Sequence, residues 1–512
     1  MGEMRLGFGE KISRRDLLKL GVTGAAAAAI AAGGRKPWFL SEDRSSVASV
    51  RKDPSQIMQG FGASGAWWPN DLVHFDPGVQ RRVGELLFDR EKGIGLSVYR
   101  YNIGGGGVGV RIPEHAPQTF LVRPGVYDWS RDPGGRLFLE LAAGHGVPII
   151  VGFANSAPAI WITNHLNTGG YLIRGAEPHY ARYLADVAER FRSEGITLSY
   201  ISPMNEPDYV WGGGVQEGMA VPIIQRAILV EHLGRELARR APHSRVVADE
   251  SSQVGSQFIP EVPAWMNVPA AAEQVAALAH HTYDYPDDAT LRRARRLVGE
   301  FFDRPLWMTE ISCWDSRTKT YGRQYDPTMT NALWMAGAIH QDLTQANDAA
   351  WHWWVALSSA LGCDPMKDPS CPYRMNYLGY DKGLIYYDPD YRENGNQQLY
   401  LTKRYWVMGN FSRFVRPGYL RHDVLGAPAG LKVLAFSGGG GWQIVATNDS
   451  RSPRTLHLRL PEPHLHPTAA YETSESRNLE PVAPPSVHRD LLVAALSPRS
   501  VTTLLLQRRR RA

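Results

Sequence analysis

The stretch LSYISPMNEP, residues 198–207, has the pattern of an apolar strand that ends abruptly in an amide, an acid and a proline. The tip residues are Asn205 and Glu206. A carboxyl group held at the end of a rigid strand, with an amide beside it, is a common way to position a proton donor. A helix cap or a turn can have the same sequence, so the rest of the chain must supply a partner for Glu206.

Short apolar runs like this one recur along the chain, and longer segments with helical periodicity lie between them. In residues 179–195, for example, Leu184, Val187 and Phe191 recur at helical spacing and Gly195 ends the run. The eight apolar runs are GFGASGAWW (60–68), GLSVYRYNIG (95–104), VPIIVGFANSAP (147–158), LSYISPMNEP (198–207), RVVADESS (245–252), ALAHHTYD (277–284), PLWMTEIS (305–312) and AAWHWWVAL (349–357).

Eight strands that alternate with helices predict an α/β fold, a (β/α)8 TIM barrel over residues 59–412. Catalytic groups are then expected at the C-terminal ends of the strands. An open, doubly wound sheet is the alternative. It is disfavoured because no strand is followed by a glycine-rich phosphate loop: NIGGGGVGV, residues 102–110, has the glycines but no Lys-Ser/Thr and no clear following helix.

The pattern changes near the end of the chain, where strands are no longer separated by helices. LKVLAFSGGGGWQIVATNDS, residues 431–450, has the pattern of two strands around a glycine turn, and later runs also resemble strands. We therefore predict an attached C-terminal β-sandwich over residues 413–507, completed by residues 45–58 ahead of the first barrel strand.

The N-terminus carries an export pattern. SRRDLLKLG, residues 13–21, places adjacent arginines before a leucine pair, and the alanine-rich run VTGAAAAAIAAGG, residues 22–34, follows. Residues 1–34 are therefore predicted to be a signal peptide for the twin-arginine export machinery, giving a secreted or periplasmic protein. An amphipathic N-terminal helix is the alternative. The run is too short and too rich in alanine to predict stable membrane insertion.

Charge and cysteine content exclude several other classes of function. The net charge of +5 is small for 512 residues, and no basic stripe interleaved with aromatic residues suggests a nucleic-acid partner. No Cys/His spacing matches a zinc site, so neither a metal nor a cofactor is predicted. Cys363 and Cys371 flank a proline-containing loop and either pair in an exported protein or remain free thiols, while Cys313 has the context of a buried apolar residue.

Two carboxyl groups stand at the ends of strands on opposite sides of the predicted barrel: Glu206 on the fourth strand and Glu310 on the seventh. Glycoside hydrolysis requires such a pair, because one carboxyl protonates the leaving oxygen while the other attacks the anomeric carbon or activates water. Asp249 and Glu250 form a competing pair after the fifth strand. Adjacent strand residues point to opposite faces, however, so only one of them can enter the barrel mouth.

Five motifs, taken in order and on their expected strands, resemble glycoside hydrolase family 30. They are GFGASGAWW (60–68), NSAPAIWITN (155–164), NEP (205–207), HTY (281–283) and TEIS (309–312). The resemblance runs from about residue 56 to the C-terminus. It implies a retaining (β/α)8 glycosidase with a side β-sandwich, in which Glu206 is the general acid/base and Glu310 the nucleophile.

The resemblance also implies roles for residues around the two glutamates. Asn205 would bond the sugar 2-hydroxyl, and Tyr283 and Arg100 would act on the Glu310 carboxylate. Trp353 would form the floor of a sugar subsite. His281 is either a substrate contact or a hydrogen-bonded structural histidine. Asn102 is a polar candidate at the barrel mouth. Trp67, Trp161 and Trp211 could line the groove or stack on sugar rings. One or two of these tryptophans are expected to be core residues.

The paired tryptophans and the pattern NEPDYVWGGGVQEGM, residues 205–219, look most like the endo-β-1,6-galactanases of the family, which cut side chains of arabinogalactan. A GGAFTDS-like first strand is absent, which disfavours glucosylceramidase and β-1,6-glucanase activity, and xylanase activity stays open. The prediction is a secreted retaining galactanase. A non-catalytic carbohydrate-binding protein on a glycosidase scaffold is the alternative from another class, but a binding protein would need the tryptophans and not the acid pair.

Overall fold

A computed structural model describes residues 47–508. The predicted twin-arginine signal over residues 1–34 lies outside the described residues. Among the helices within residues 47–508, none combines the length and the apolar character needed to cross a bilayer.

Eight parallel strands, numbered β1 to β8, close into a barrel. Each strand pairs with its neighbours in the chain, and β8 pairs with β1 to complete the ring. The predicted (β/α)8 barrel is therefore confirmed. The strands are β1 Gly60–Gly65, β2 Val98–Asn102, β3 Ile149–Phe153, β4 Tyr200–Ser202, β5 Arg245–Ser251, β6 Val275–His281, β7 Leu306–Glu310 and β8 Ala350–Trp353.

Side chains on the strands alternate between the inside of the barrel and the surrounding helices. On β6, Ala277 and Ala279 belong to the small apolar cluster inside the barrel, whereas Leu278 joins the large cluster outside it. Trp307 is part of the inner cluster and meets Tyr200 edge to face, with ring centroids 4.7 Å apart. Because the interior is packed with apolar groups, polar side chains that perform chemistry are confined to the strand ends.

Helices follow the strands and cover the outside of the barrel. Helix α4 illustrates the reason: Leu184, Val187 and Phe191 lie on its buried face, and the helix ends just before Gly195, whose φ of 86° a helix cannot continue. The helices are α1 Trp68–Leu72, α2 Pro77–Phe88, α3 Pro133–Gly144, α4 Glu177–Ser193, α5 Ile223–Arg240, α6 Ile259–Met266, α7 Pro269–Ala272, α8 Asp288–Phe301, α9 Met329–Gln341, α10 Tyr391–Asn394 and α11 Lys403–Ser412. Single 3₁₀ or π turns lie at Pro113–His115, Ala159–Trp161, Val254–Phe258, Asp342–Ala346 and Cys371–Tyr373.

Short strands outside the barrel shape the loops at its mouth. Two of them form a hairpin after β7, and three form a small sheet after β8. The pairings are Leu121–Arg123 with Val126–Tyr127, Thr168–Tyr171 with Gly218–Ala220, Trp314–Asp315 with Thr320–Tyr321, and Ile385–Tyr386 with both Leu357–Ser358 and Tyr400–Leu401.

A ten-stranded sheet with its own apolar core forms the second architectural unit. Residues from strands far apart in the sheet order share this core, so the sheet bends over itself as a sandwich. Ala48–Ile57 pairs with Leu420–Leu425 and Arg454–Arg459, which places the segment that precedes the barrel within this sheet. The remaining strands are Leu431–Gly438, Gly441–Asn448, Leu465–Thr473, Glu480–Val482, Ser486–His488, Leu491–Leu496 and Ser500–Arg508.

Helix α11 joins the barrel to the sandwich. On the sandwich side, the Asn410 amide donates to the Thr503 hydroxyl oxygen at 3.1 Å, and the Lys403 ammonium donates to the Ser474 carbonyl at 2.6 Å. On the barrel side, the buried Arg404 guanidinium donates to the Asp381 carboxylate at 2.9 Å and to the Asp326 carbonyl at 2.6 Å. The ion pair is fully buried, so it fixes the long loop after β8 against α11.

We expect Arg404→Met to lower the free energy of unfolding by about 3 kcal/mol, because it leaves the Asp381 carboxylate buried without its cation. Equilibrium unfolding in guanidinium chloride measures the change. Arg459→Met is the matched control: Arg459 pairs with Asp490 on the exposed surface, and its loss should cost less than about 1 kcal/mol. Equal effects in both variants would contradict a structural role for the buried pair.

Candidate active site

Glu206 and Glu310 meet at the mouth of the barrel, although they come from loops or strand ends on opposite sides of the ring. One carboxylate oxygen of each and the Nδ1 atom of His281 all lie within 4.8 Å of one another. Retaining glycosidases hold their two carboxyl groups about 5 to 5.5 Å apart, whereas inverting enzymes separate them by about 6.5 to 9.5 Å. An oxygen separation of no more than 4.8 Å fits the retaining arrangement, in which one carboxylate attacks the sugar directly.

Arg100 and Tyr283 hold the Glu310 carboxylate. The Arg100 guanidinium donates to one oxygen at 2.5 Å, and the Tyr283 hydroxyl donates to the other at 3.1 Å. Arg100 is fully buried, rests 3.8 Å above the Phe153 ring, and also donates to the Asn205 side-chain oxygen at 2.6 Å. These contacts fix the orientation of the Glu310 carboxylate and of the Asn205 amide beside it.

The backbone around Glu206 is held in an unusual conformation. Glu206 has a φ of 46°, in the left-handed region that non-glycine residues rarely adopt. Its N–H donates to the Glu250 carbonyl at 2.9 Å, which ties the loop after β4 to the end of β5. Strained backbone of this kind persists where the surrounding structure enforces it, and it is frequent at active sites.

Burial gives Glu206 the electrostatics of a proton donor. Burial raises its pKa to about 7, assisted by repulsion from Glu310 and opposed by the hydrogen bond and charge of His281. A carboxyl group with this pKa carries a proton for part of the time near neutral pH. The two glutamates therefore differ in environment: Glu310 is bonded to a guanidinium, and Glu206 is not.

His281 links the carboxylates of the site. Its Nδ1 lies 3.0 Å from Glu206 and 3.9 Å from Glu310, and its Nε2 lies 3.0 Å from Glu250. Burial acts to lower its pKa, but the charge of Glu310 and the bonds to Glu206 and Glu250 outweigh it and raise the pKa to about 10. The sequence leaves two interpretations of His281 open, a substrate contact and a structural histidine. Its position is that of a buried, hydrogen-bonded histidine.

Glu250 is a member of this cluster that the sequence reasoning set aside. Its carboxylate contacts Arg100 at 3.3 Å, His281 at 3.0 Å and the Thr309 hydroxyl. Burial would raise its pKa, but Arg100 and these hydrogen bonds lower it to about 2. Asp249, its neighbour, instead bonds Arg226 of α5 at 3.0 Å outside the barrel.

Local backbone geometry directs Glu250 inward. Val247 faces the barrel interior, so regular alternation would send Asp249 inward and Glu250 outward. The pairing of β5 with β6 shifts register between Asp249 and Ser251, and Glu250 has a φ of 66°. The available sequence signal was an acid at the C-terminal end of an apolar run, the same signal that identified Glu206 and Glu310.

The two glutamates open into a groove of about 630 Å³. Trp67 lines the groove, and its ring meets that of Trp354 edge to face with centroids 4.9 Å apart. Tyr209 and Trp211 line the groove from the loop after β4. Tyr283 also lines the groove. A larger cavity of about 750 Å³, lined by residues of α8 and α9, contains neither glutamate.

Two predicted substrate contacts, Trp353 and Trp161, are corrected by the structure. Trp353 is fully buried, and its indole N–H donates to the Lys382 carbonyl. Strand alternation places Trp353 with Trp351 towards the helices. Trp354, the next residue, lines the groove instead. Trp161 packs near Tyr180 of α4 in the core. Asn102 lies at the end of β2 with its amide nitrogen 3.5 Å from the backbone carbonyls of Ile103 and Phe153, and its contact with substrate stays a prediction.

Glu206, His281 and Glu310 are also the group within residues 47–508 whose donor atoms are spaced for a metal ion. The electrostatics do not suit one. A pKa of about 10 makes His281 an imidazolium, which has no free lone pair for a metal, and Arg100 already supplies positive charge to Glu310. The donor set fits proton transfer and not metal binding.

The sequence profile of O-Glycosyl hydrolase family 30 matches residues 46–364, more than half of the chain. The chain belongs to this family. The resemblance predicted from the motifs is therefore confirmed. Glucuronoxylanase XynC of Bacillus subtilis is 27% identical over 332 residues, which cover 64% of this chain and 66%, just under two thirds, of that relative.

Solved structures share the complete fold. A conserved exported protein from Bacteroides fragilis has a TM-score of 0.76 at 23% identity, over 90% of this chain and 100% of its own. A family 30 subfamily 8 xylanase from Clostridium acetobutylicum has a TM-score of 0.67 at 22% identity, over 90% and 99%. At these identities the structures show the common architecture of barrel and side β-domain.

We expect Glu250→Gln to lower the pKa of His281 from about 10, because the substitution removes one of the carboxylates that stabilise the imidazolium. Titration of ¹⁵N-labelled histidine side chains by NMR measures the change. Glu217→Gln removes a buried carboxylate that bonds the glycine loop after β2, and it serves as the control. An unchanged His281 titration in Glu250→Gln would exclude this role for Glu250.

Proposed function

We propose that this protein is an exported endo-β-1,6-galactanase that cleaves side chains of arabinogalactan. In this proposal Glu310 is the nucleophile and Glu206 the general acid/base. The observation that carries the assignment is the approach of the two carboxylates within 4.8 Å, with Arg100 and Tyr283 bonded to Glu310 and not to Glu206.

The reaction has two steps. Glu310 attacks the anomeric carbon and forms a glycosyl ester, while Glu206 gives its proton to the departing glycosidic oxygen. In the second step Glu206, now ionised, takes a proton from water, and the oxygen of that water displaces Glu310 with a second inversion. The product therefore keeps the β configuration, and Glu206 is protonated again for the next cycle.

Neighbouring groups stabilise the charges that change during these steps. Arg100 and Tyr283 donate hydrogen bonds to Glu310 and favour its departure as a carboxylate in the second step. Asn205, oriented by Arg100, is placed to bond the sugar 2-hydroxyl, a contact that strengthens as positive charge develops on the ring. His281 and Glu250 hold this array in place from below the groove.

The substrate assignment rests on the groove and on the motifs. Aromatic side chains can stack on the apolar face of a sugar ring, and Trp67, Trp211 and Tyr209 supply such rings along an open groove of about 630 Å³. An open groove suits cleavage within a chain. The motifs GASGAWW and NEPDYVWGGGVQEGM support β-1,6-galactan, because they look most like the galactanase members of the family.

Xylan is the second candidate, and the curated relatives favour it. Two relatives of 27% and 26% identity are glucuronoxylanases, and three of the similar solved structures are described as xylanases. The identity is low, and the match covers 66% of each relative, so substrate specificity can differ between them and this chain.

Export through the twin-arginine machinery is part of the proposal. Residues 13–34 carry the arginine pair and the alanine-rich run that this route requires. The disulfide between Cys363 and Cys371 supports it, because disulfides persist in oxidising compartments outside the cytosol. A polysaccharide too large to enter the cell would also require an enzyme outside it.

The first test separates the roles of the two glutamates. Glu310→Ala should abolish hydrolysis, and azide with an activated aryl β-glycoside should then yield the inverted α-glycosyl azide, because azide enters the face that the carboxylate vacates. Glu206→Ala should lower polysaccharide cleavage by about 100-fold or more. It should retain turnover of aryl glycosides whose leaving groups need no proton, and azide should yield the β product.

The stereochemistry of the azide products, determined by NMR, checks the assignment. Glu236→Ala, which removes a carboxylate from an exposed salt bridge within α5, is the control and should retain full activity. Full activity in either Glu206→Ala or Glu310→Ala would remove that residue from its role. Exchanged product configurations would reverse the two roles.

The second test identifies the substrate. The purified protein is incubated separately with de-arabinosylated arabinogalactan, xylan and β-1,6-glucan, and products are identified by mass and linkage. Short β-1,6-galacto-oligosaccharides are expected from the first polymer. Release of xylo-oligosaccharides without galactan cleavage would favour the xylanase candidate and reject the galactanase proposal.

A further inference from the structure

Asp208 follows Glu206 and Pro207 in the chain and joins the loop after β4 to the loop after β5. One oxygen of its carboxylate accepts the Ser252 backbone N–H at 3.0 Å, and the other accepts the Ser252 hydroxyl at 2.5 Å. A carboxylate that accepts two hydrogen bonds from one residue fixes both the position and the orientation of that residue. The contact therefore holds the two loops against each other.

The Asp208 contact adds to those that the Glu206 backbone makes. The Glu206 N–H donates to the Glu250 carbonyl at 2.9 Å, and the Glu206 carbonyl accepts the Tyr209 N–H at 3.0 Å. The left-handed φ of Glu206, 46°, is a conformation that persists where surrounding contacts enforce it. Glu250 holds the strained residue through its own N–H, and Asp208 holds the chain that follows it.

Ser252 extends this contact towards the second glutamate. Its carbonyl accepts the Tyr283 backbone N–H at 3.3 Å, and the Tyr283 hydroxyl donates to Glu310 at 3.1 Å. A continuous series of hydrogen bonds thus runs from Asp208 through Ser252 and Tyr283 to the Glu310 carboxylate. The spacing between the Glu206 loop and Glu310 therefore depends on the contact between Asp208 and Ser252.

The loop after β5 is anchored on its other side as well. Asp284, on the loop after β6, accepts the backbone N–H of Val254 at 3.2 Å and that of Gly255 at 2.8 Å. Two carboxylates thus hold this loop, Asp208 from one neighbour and Asp284 from the other. Because Asp284 remains, loss of the Asp208 carboxylate should release the Glu206 loop and leave the loop after β5 in place.

Asp208 is placed to act through Glu206 and not on the substrate. Among the described residues, Glu206 and Ser252 line the groove and Asp208 does not. Burial is the main cause that raises the pKa of Glu206, and the charges of Glu310 and Asp208 add to it, whereas His281 opposes them. Asp208 therefore favours the protonated form of Glu206. The other charged groups of the site, which bond each other at 3.3 Å, are Arg100 and Glu250.

We propose that Asp208 is the positioning residue of the general acid/base: through Ser252 it holds Glu206 at the distance from Glu310 that proton transfer to the glycosidic oxygen requires. This inference rests on the proposed function for the role of Glu206, and it is independent of which polysaccharide is cleaved. An effect of Asp208 should then be confined to steps in which Glu206 moves a proton.

The first measurement compares two aryl β-glycosides of the sugar that the substrate test identifies. Dinitrophenol departs without a proton, whereas unsubstituted phenol needs one from Glu206. In Asp208→Ala, kcat/KM should fall about tenfold for the phenyl glycoside, a part of the contribution of general acid catalysis, and should be unchanged for the dinitrophenyl glycoside. Asp128→Ala is the matched control, because Asp128 bonds the N–H and hydroxyl of Ser130 before α3, and it should change neither value.

A double variant separates positioning of Glu206 from a general structural role. In the Glu206→Ala background, Asp208→Ala should cause no further loss with the phenyl glycoside, because both substitutions remove the same function. Full activity in Glu206→Ala alone would reject the proposed role of Glu206. A loss in Glu206→Ala, together with full activity in Asp208→Ala, would reject the positioning role of Asp208 and leave the proposed function standing.

The conservative variant Asp208→Asn keeps an oxygen for the Ser252 N–H and removes the negative charge. It should recover most of the phenyl glycoside activity that Asp208→Ala loses, measured at a pH where Glu206 is protonated. The basic limb of kcat/KM against pH should move to lower pH, because Glu206 ionises more readily without a neighbouring anion. An unmoved limb would overturn the electrostatic contribution of Asp208.

Two further results would overturn the inference. One is an equal fall in kcat/KM for the phenyl and dinitrophenyl glycosides in Asp208→Ala. The other is a loss in the Glu206→Ala background as large as that in the parent enzyme. If Asp208→Ala does not fold, Ser252→Ala supplies the same comparison, because it removes the hydroxyl donor and keeps the backbone bond. It should lower the phenyl value selectively but by less, and equal values for the two glycosides would again reject the role.

Discussion

The buried guanidinium of Arg100 is the interaction on which the active site depends. It stands on β2 and reaches Glu310 from β7, Glu250 from β5 and Asn205 after β4. A fully buried cation is stabilised by well-placed anionic and polar partners, and these three residues bond the two terminal nitrogens of Arg100. Closure of the barrel brings these partners from distant strands to one side chain. The geometry of the site therefore depends on the fold of the barrel.

The cluster around Arg100 gives two chemically identical residues different roles. Glu310 accepts bonds from a guanidinium and a phenol, while Glu206 contacts His281 and is buried enough to have its pKa raised to about 7. Glu250 lies beneath both and balances the charge of Arg100 and His281. In the proposed mechanism the environment, and not the residue type, separates the nucleophile from the acid.

The loops beyond the strands extend the cluster of carboxylates into a groove. Trp67, Trp211 and Trp354 extend the site into a groove, which Lys382 also lines. The long loop after β8 that carries Lys382 is fixed to α11 through the Arg404–Asp381 pair. The sandwich supports α11 from the other side, so the second domain contributes indirectly to the geometry of the groove.

The barrel, the family and two glutamates at strand ends follow from the amino-acid sequence, because periodicity, motif order and strand-end acids are local signals. Which side chains enter the barrel mouth depends instead on the folded backbone. Strand alternation buries Trp353 and leaves Trp354 in the groove, and a left-handed residue within a shifted register turns Glu250 inward. The face that a side chain takes depends on the backbone conformation of single residues. Pairing between distant strands sets that conformation, and no local sequence pattern predicts it.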